Sequence, residues 1–396
     1  MKYNRFKYRW KLWEFSINWG CNFGCPYCWY GEKPEFREIE DEMFLKQLQL
    51  FLRHAARNKK GEPRFGISFF RTESSLSADK MRKYVPILYD HGCVKYATTT
   101  NGYAWTKEDL EFLRKWNFEV LFSFEGTRQR QDIMRPLYGG QSSYDRVVDN
   151  ILYYRDLGGN LLVLTLLIPE TYQTIKEGVE AILSLGVPLY INVAIMHITP
   201  WTDDELRDLS RRLRPIAEMV MDDPSIIPRL GPYPKIIRRL VKWRGYNIHD
   251  PGTCGAIKGS IATDIDGSIY TCHWGVGIDA FKIGHVDTGL DYEKMARIAN
   301  GACATGLSMI PYMNSCRVIN YYFTGDMHRI PEIYTKVYHA YWKGLLEPVW
   351  NKMLTDRLYR EKVLTLLGIK TTKKVSKRIP KAKIMRIVEG VLSHEC

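Results

Sequence analysis

The stretch of sequence that decides the fold reads Cys21-Asn22-Phe23-Gly24-Cys25-Pro26-Tyr27-Cys28. Its three cysteines have the spacing C-x-x-x-C-x-x-C and follow residues Trp13 to Trp19, which predict a β-strand. Three thiolates this close together can ligate three irons of a 4Fe–4S cube and leave the fourth iron without a protein ligand. The alternatives are a few buried thiols or a structural zinc site, but zinc requires a fourth ligand, and no nearby His or Cys supplies one.

This run, with Tyr27 directly before the third cysteine, resembles the cluster motif of the radical S-adenosylmethionine (SAM) enzymes. In that family the open iron chelates the amino and carboxylate groups of SAM. One electron from the cluster then cleaves SAM to methionine and a 5′-deoxyadenosyl radical, which abstracts a hydrogen atom from the substrate. The resemblance implies that Cys21, Cys25 and Cys28 hold the cluster, that Tyr27 lies at the SAM site, and that flavodoxin or ferredoxin donates the electron.

Around the cysteines, strand and helix signals alternate in six units from residue 13 to about residue 222. Such alternation predicts an α/β fold with a parallel sheet and outer helices. The resemblance implies a (β/α)6 partial TIM barrel, with its chemistry at the carboxyl ends of the strands. The predicted division is a basic, aromatic segment (1–12), the barrel (13–222), a proline-rich linker (223–248), a small α+β auxiliary-cluster domain (249–330), and a helix with a basic tail (331–396).

Short motifs after the predicted strands also resemble the radical SAM family. Thr99-Thr100-Asn101-Gly102 matches its Thr-Asn-Gly, Ser123-Phe124-Glu125-Gly126 resembles its Ser-x-Asp-Gly, and Arg135-Pro136 resembles its continuation. The resemblance implies SAM contacts from Glu73, Thr100, Asn101, Ser123 and Arg135. The family's Gly-Gly-Glu-Pro is replaced by Arg71-Thr72-Glu73-Ser74. Because glycines permit a close approach of the backbone, this pocket is expected to differ locally, with Arg71 able to reach the carboxylate of SAM or the substrate.

A second group of cysteines resembles the SPASM or twitch extension that follows many radical SAM cores. Cys254 and Cys272 flank Gly267 as that extension begins, and Cys316 with Thr324-Gly325-Asp326 resembles its end. Cys254, Cys272, Cys303 and Cys316 are predicted to hold one auxiliary 4Fe–4S cluster, which could accept an electron from a substrate radical. The alternatives are that Cys303 is a buried thiol beside an open iron, or that this second cluster is absent.

His273 follows Cys272 at the position where sulfatase-maturing relatives carry a catalytic Asp. A histidine can act as a base near neutral pH, and His273 is therefore the candidate catalytic residue. The alternative is a hydrogen bond to a cluster sulfur or to the backbone. With histidine in place of aspartate, a formylglycine-generating activity loses support.

The chain carries a net charge of +13, of which +8 lies in residues 352–396. A basic tail can contact phosphates or an acidic partner, or it can simply be solvated. Near the start, Phe6, Tyr8 and Trp10 alternate with basic residues, as in a strand that is aromatic on one face. Such a strand could stack on nucleic-acid bases, but more often its aromatics cover the edge of a core.

The chain contains 9 cysteines, clustered at metal-like spacings, and this pattern argues for a reducing cytoplasm rather than a disulfide framework. No run of apolar residues is long enough for a membrane span, and no secretory signal opens the chain. The favoured function is radical modification of a peptide or protein by oxidation, crosslinking or epimerisation. The alternatives are modification of a nucleic-acid base, dehydrogenation or epimerisation of a sugar or aminocyclitol, and, outside enzymes, an iron–sulfur protein without SAM chemistry.

Overall fold

The structure is a computed structural model that describes residues 9–28, 30, 35–195, 200–242, 255–300 and 316–369. Its strands, in chain order, are β1 (Leu12–Phe15), β2 (Asn18–Trp19), β3 (Arg37–Glu38), β4 (Phe65–Phe69), β5 (Cys93–Thr100), β6 (Glu119–Ser123), β7 (Asn160–Leu167), β8 (Leu189–Val193), β9 (Leu230–Gly231), β10 (Ser260–Thr263), β11 (Ser268–Tyr270), β12 (Lys282–His285) and β13 (Gly289–Leu290).

The helices alternate with these strands through the first half of the chain and dominate its end. In chain order they are α1 (Asp41–His54), α2 (Ala78–Asp90), α3 (Lys107–Lys115), α4 (Arg128–Met134), α5 (Tyr144–Asp156), α6 (Ile175–Ser184), α7 (Asp203–Asp222), α8 (Tyr233–Lys242), α9 (Tyr292–Asn300), α10 (Arg317–Thr324), α11 (Glu332–Tyr341), α12 (Glu347–Thr355) and α13 (Arg357–Leu366). None of these described helices combines the length and the apolar character that a membrane span requires.

Six parallel strands, β1 and β4 to β8, are paired in chain order and form the centre of the sheet. This arrangement confirms the α/β fold class with a parallel sheet. The sequence of β7 shows why these strands lie inside the fold: Leu161, Val163 and Leu167 are buried on one face, and Leu162, Leu164 and Leu166 face a cavity on the other. Because a parallel strand is covered on both faces, its sequence is a largely apolar run.

The second cysteine-bearing segment continues this sheet. Strand β10 pairs parallel to β1, and β11, β12 and β13 follow it as an antiparallel meander. The α+β character predicted for this segment is therefore present among the described residues, although its strands extend the barrel sheet instead of forming a separate sheet. As a result, residues around 260–275 lie beside the first strand of the barrel.

The C-terminal helices close one side of the barrel. Helix α7 packs against α11, the π-helical turn Trp342–Leu346 and α12. At Gly344 a Cβ atom would lie 2.4 Å from the carbonyl oxygen of Ser210 on α7, so glycine permits the two backbones to approach. The basic tail beyond residue 369 lies outside the described residues.

One of the predicted segments differs from expectation, and another agrees with the interpretation that sequence analysis favours. Residues 223–248 are predicted to be a linker, but Pro224 to Lys242 form a 3-10 turn, β9 and α8, because proline is compatible with the first turn of a helix. In the N-terminal segment, Trp10 is fully buried and donates its indole N–H to the carbonyl of Ile257 at 3.0 Å. This favours the interpretation that aromatics cover the core; Phe6 and Tyr8 lie outside the described residues.

Candidate active site

A cavity of about 680 Å³ opens at the carboxyl ends of the parallel strands. Residues that were predicted separately from distant motifs line it together: Cys21, Cys25, Tyr27, Cys28, Glu73, Thr100, Asn101, Ser123, Arg135, His273 and Cys316. Parallel strands bring the residues that follow them to one edge of the sheet, where ligands of such folds bind. The tertiary structure thus brings the predicted cluster, SAM and base residues into one place.

The cysteine loop is held in the shape that directs its thiols toward this cavity. Gly20 begins the loop at φ +121°, a backbone conformation that suits glycine, and a Cβ atom there would lie 3.0 Å from the Phe36 ring. Phe23 is fully buried, and the amide of Gly24 donates to the carbonyl of Pro136 at 2.9 Å. A turn closed by the amide of Cys28 and the carbonyl of Cys25, at 3.1 Å, then sets the spacing of the last two thiols.

The three thiols of Cys21, Cys25 and Cys28 line one cavity, which is the arrangement that a shared iron–sulfur cluster requires. In a 4Fe–4S cube each thiolate ligates a different iron, so the sulfurs surround the cluster without meeting at one point. Within the described ranges, no three Asp, Glu, His or Cys side chains converge on a single-ion site. The side-chain amide of Asn101 lies 3.7 Å from the Cys21 sulfur, where it can donate a hydrogen bond to a cluster ligand.

Tyr27 supplies an observation that points to a bound polar ligand. Its hydroxyl is buried without a hydrogen-bond partner, and Arg135 lies 5.3 Å from the centre of its ring. Burial raises the pKa of this phenol well above its usual value, so the hydroxyl keeps its proton as a donor. A buried polar group without a partner is unfavourable in a native fold unless a ligand satisfies it. The position therefore suits a SAM contact.

Glu73 is bound to the protein on both carboxylate oxygens. One oxygen accepts from the hydroxyl of Thr100 at 2.6 Å and from the hydroxyl and amide of Ser75 at 2.6 and 3.0 Å; the other accepts from the amide of Asn101 at 2.6 Å. Burial raises the pKa of this carboxyl, while these donors oppose the increase. Glu73 thus joins the loop after β4 to the end of β5 at the wall of the cavity.

The partner of the Arg71 side chain differs from the one that the sequence suggests. The sequence leaves it able to reach the carboxylate of SAM or the substrate, but its guanidinium forms an ion pair with Asp264, between β10 and β11. The two side chains are 13% and 4% exposed. Asp264 was not predicted, because the sequence offers no signal that joins residues 193 positions apart.

Glu125, which occupies the position of the family's aspartate, is the centre of a buried ion network. Its carboxylate lies 2.8 Å from Arg135 Nε and 3.4 Å from Arg130 Nη2, and it accepts from Thr165 Oγ1 at 2.8 Å. Burial disfavours the charge of Arg135, but Tyr27 and Glu125 outweigh it and the pKa of Arg135 is raised overall. The network fixes Arg135 beside Tyr27, while Ser123 ends β6 at the cavity wall.

His273 and Glu14 form a pair that lines the same cavity. The imidazole Nδ1 lies 2.7 Å from one carboxylate oxygen of Glu14, and the amide of His273 donates to the other at 2.9 Å. The ring of Phe70 lies 4.2 Å from the imidazole ring, centre to centre. Glu14 was missed by sequence reasoning, although a signal exists: it lies between buried Trp13 and Phe15, so the alternation of a strand turns it toward the cavity.

Two of the four predicted auxiliary ligands lie in one small apolar group. Cys272 and Cys316 both pack against Phe281 and Val318. Directly after Cys316, the Nε atom of Arg317 is buried without a hydrogen-bond partner. Cys254 and Cys303 lie outside the described residues, as does Cys396. Cys93, by contrast, is 1% exposed in the main core, away from this group.

Comparison with known proteins gives one family and several structures. Residues 16–182 match the model of the Radical SAM superfamily. No curated protein sequence matches the chain.

The fold is similar to native anSMEcpe with bound AdoMet, with a TM-score of 0.68 and 12% identity over 90% of this chain and 99% of that one. Native anSMEcpe with bound AdoMet and the Cp18Cys peptide gives a TM-score of 0.67 and 12% identity over 90% and 98%. Streptococcus suis SuiB bound to precursor peptide SuiA gives 0.58 and 13% over 81% and 75%. The match to the Radical SAM superfamily model over residues 16–182 thus includes the cysteine loop and most of the strands whose ends line the cavity.

Proposed function

We propose that the protein is a radical SAM enzyme that modifies a peptide or protein substrate. The observation that carries this proposal is the single cavity that gathers three cysteine thiols, the predicted SAM contacts and a Glu–His pair. Cys21, Cys25 and Cys28 would hold a 4Fe–4S cluster. Bound together, cluster and SAM supply the abstraction of a substrate hydrogen atom.

We assign the SAM contacts to the wall around the cysteine loop. The hydroxyl of Tyr27 can donate a hydrogen bond to SAM, and Ser123, Asn101 and Arg135 line the same cavity. Glu73 and Thr100 are hydrogen-bonded to each other, so they act chiefly by shaping the wall, with backbone atoms left for the ligand. A reducing partner of the flavodoxin or ferredoxin type would supply the electron.

An auxiliary cluster is proposed in the domain predicted for residues 249–330, beside the barrel of residues 13–222. Its ligands would be Cys254, Cys272, Cys303 and Cys316, as in SPASM or twitch extensions. The placement of Cys272 and Cys316 in one apolar group supports this. So does Arg317, because an anionic cluster with sulfur acceptors would satisfy its buried Nε donor.

His273 is proposed as the base of the reaction. Because Glu14 holds Nδ1, the ring is oriented in the same manner as a histidine whose second nitrogen exchanges a proton with substrate. The His273 side chain is 26% exposed, so it remains accessible from the cavity. The alternative is a purely structural hydrogen bond between His273 and Glu14, which replacing His273 with alanine would distinguish from a base.

The chemistry of the cavity favours a neutral substrate group. Its described charged side chains already have protein partners: Glu14 with His273, Arg71 with Asp264, Glu73 with Asn101, and Arg135 with Glu125. Much of the remaining lining consists of apolar and aromatic side chains: Leu121, Leu162, Leu164, Leu166, Tyr190, Ile319, Tyr334 and Tyr338. A cavity of this kind suits an uncharged side chain better than a phosphate-bearing nucleotide.

Peptide substrates are further supported by the neighbours of similar fold, which are bound to peptides in two of the structures compared. One of the two supports for the nucleic-acid alternative is weakened, because Trp10 is buried and unable to stack on a base, while Phe6 and Tyr8 lie outside the described residues. Its other support, the basic tail, lies outside the described residues.

Replacing His273 with alanine is expected to lower product formation about 100-fold, the usual contribution of a general base. Cleavage of SAM without substrate should be unchanged, because His273 is paired with Glu14 and is not one of the proposed SAM contacts. Glu14→Gln, which keeps one acceptor for the imidazole, should lower product formation less. The measurement is product and 5′-deoxyadenosine per chain, with iron content as the control; equal product from wild type and His273→Ala would refute the assignment.

The proposed function is tested by anaerobic reconstitution, followed by iron counting and SAM turnover under dithionite. About eight irons per chain with release of 5′-deoxyadenosine is the expected result, since two cubes hold eight irons. Peptide and oligonucleotide libraries, both deuterated, are then compared for deuterium transfer to 5′-deoxyadenosine. Transfer from oligonucleotides alone would overturn the peptide assignment, and clusters that never support SAM cleavage would overturn the enzymatic one.

A further inference from the structure

The backbone of Arg71 adopts a conformation that side-chain-bearing residues rarely adopt. Its φ angle is +122°, in the region where glycine is favoured. Such a conformation persists only where the surrounding structure imposes it, because it is unfavourable by itself. Arg71 also stands directly before Thr72 and Glu73 in the loop that forms part of the cavity wall. Contacts of the Arg71 side chain maintain this conformation.

The Arg71 side chain is held from three directions. Its guanidinium forms an ion pair with one oxygen of Asp264 and lies 5.7 Å from the ring centres of both Trp19 and Tyr30. The other oxygen of Asp264 accepts from Trp19 Nε1 at 2.8 Å and from the amide of Ile265 at 2.9 Å. These two hydrogen bonds hold the Asp264 carboxylate in place independently of Arg71, so its other oxygen can anchor the guanidinium.

The conformation at Arg71 determines where the next two residues lie. The hydroxyl of Thr72 donates to Asn18 Oδ1 at 2.6 Å, and the amide of Glu73 donates to the carbonyl of Gly20 at 3.2 Å. Gly20 directly precedes the cysteine loop, so these bonds connect the loop after β4 to the predicted cluster ligands. Relaxing φ at Arg71 to a negative value would redirect Thr72 and Glu73 and break this connection.

We propose that Asp264 is a positioning residue for SAM binding. It holds Arg71, and through Arg71 it holds the cavity loop in a conformation that glycine could adopt without help. This inference rests on the proposed SAM-binding function. It assigns a role in the SAM site to the β10–β11 turn, which belongs to the C-terminal extension of the sheet and contacts the loop through the Arg71–Asp264 ion pair.

The experiment measures the affinity of the reconstituted full-length protein for radiolabelled SAM by equilibrium dialysis. Asp264→Asn is expected to weaken binding about tenfold, the scale of the strain at one residue. The double variant Arg71→Gly with Asp264→Asn should recover most of this loss, because glycine adopts the loop conformation freely and removes the unpaired guanidinium. Asp109→Asn, which breaks the Arg82–Asp109 ion pair outside the cavity, is the matched control and should bind SAM as the wild type does.

A second pair of variants keeps the test decisive if Asp264→Asn does not fold. Arg71→Ala should bind SAM about tenfold more weakly than Arg71→Gly, although the two differ by one methyl group, because glycine adopts this φ angle without steric strain and alanine does not. Equal affinities for this pair, wild-type affinity for Asp264→Asn, or a double variant as weak as Asp264→Asn would each overturn the inference. A wild-type protein that carries its clusters and binds no SAM would instead overturn the proposed function.

Discussion

Replacing Cys25 with alanine is expected to abolish SAM cleavage while the protein still folds. Cys25 is one of three thiols around the proposed cluster site, and two thiolates are too few to hold a 4Fe–4S cube. Because Cys25 lies in a half-buried loop held by Phe23 and Gly24, its loss should leave the sheet intact. Iron content should fall by about four per chain, and 5′-deoxyadenosine under dithionite should fall to background.

Cys93→Ala provides the control for this prediction. It also removes one thiol, but from the core, where Cys93 is 1% exposed. It should reduce the free energy of unfolding by about 1 kcal/mol, as small truncations in a core do. It should leave iron content and SAM cleavage unchanged. If Cys25→Ala released as much 5′-deoxyadenosine as Cys93→Ala, the assignment of the cluster site would be wrong.

The second large effect is expected at Glu125. Replacing Glu125 with glutamine removes the negative charge that forms a salt bridge with Arg130 at 3.4 Å and with Arg135 at 2.8 Å. The three side chains are 0–7% exposed, so both guanidinium groups would remain buried without a counter-charge. Breaking such a network lowers the free energy of unfolding by about 3–5 kcal/mol. The change is measured from urea unfolding followed by circular dichroism.

An exposed ion pair provides the comparison. Arg128 and Asp145 are 49% and 72% exposed, so Asp145→Asn should change the free energy of unfolding by less than about 1 kcal/mol. Glu125→Gln should additionally weaken SAM binding, because Arg135 and Tyr27 would no longer be held against each other. A Glu125→Gln variant as stable as Asp145→Asn would contradict the network.

Local sequence patterns predict the architecture of the barrel closely. Helix α3 begins at Lys107 because Thr106 and Asp109 form a capping box, a pattern of residues that can be found in the sequence. The strands before Asn101 and Ser123 are likewise found with their polar ends at the cavity. At residues 224–242 the prolines predict a linker, but tertiary packing stabilises a strand and a helix there. Tyr233 is buried, and its hydroxyl donates to the carbonyl of Leu345 at 2.6 Å.

The secondary-structure elements and the order of the polar motifs can be predicted from the sequence, since they depend on periodicity and on neighbouring residues. The side chains that become partners over long separations depend instead on how the strands pair. Arg71 meets Asp264, and His273 meets Glu14, because β10 pairs with β1 and carries the second cysteine segment to the cavity. Strand pairing between segments 250 residues apart is set by the packing of the whole sheet, and no local pattern records it.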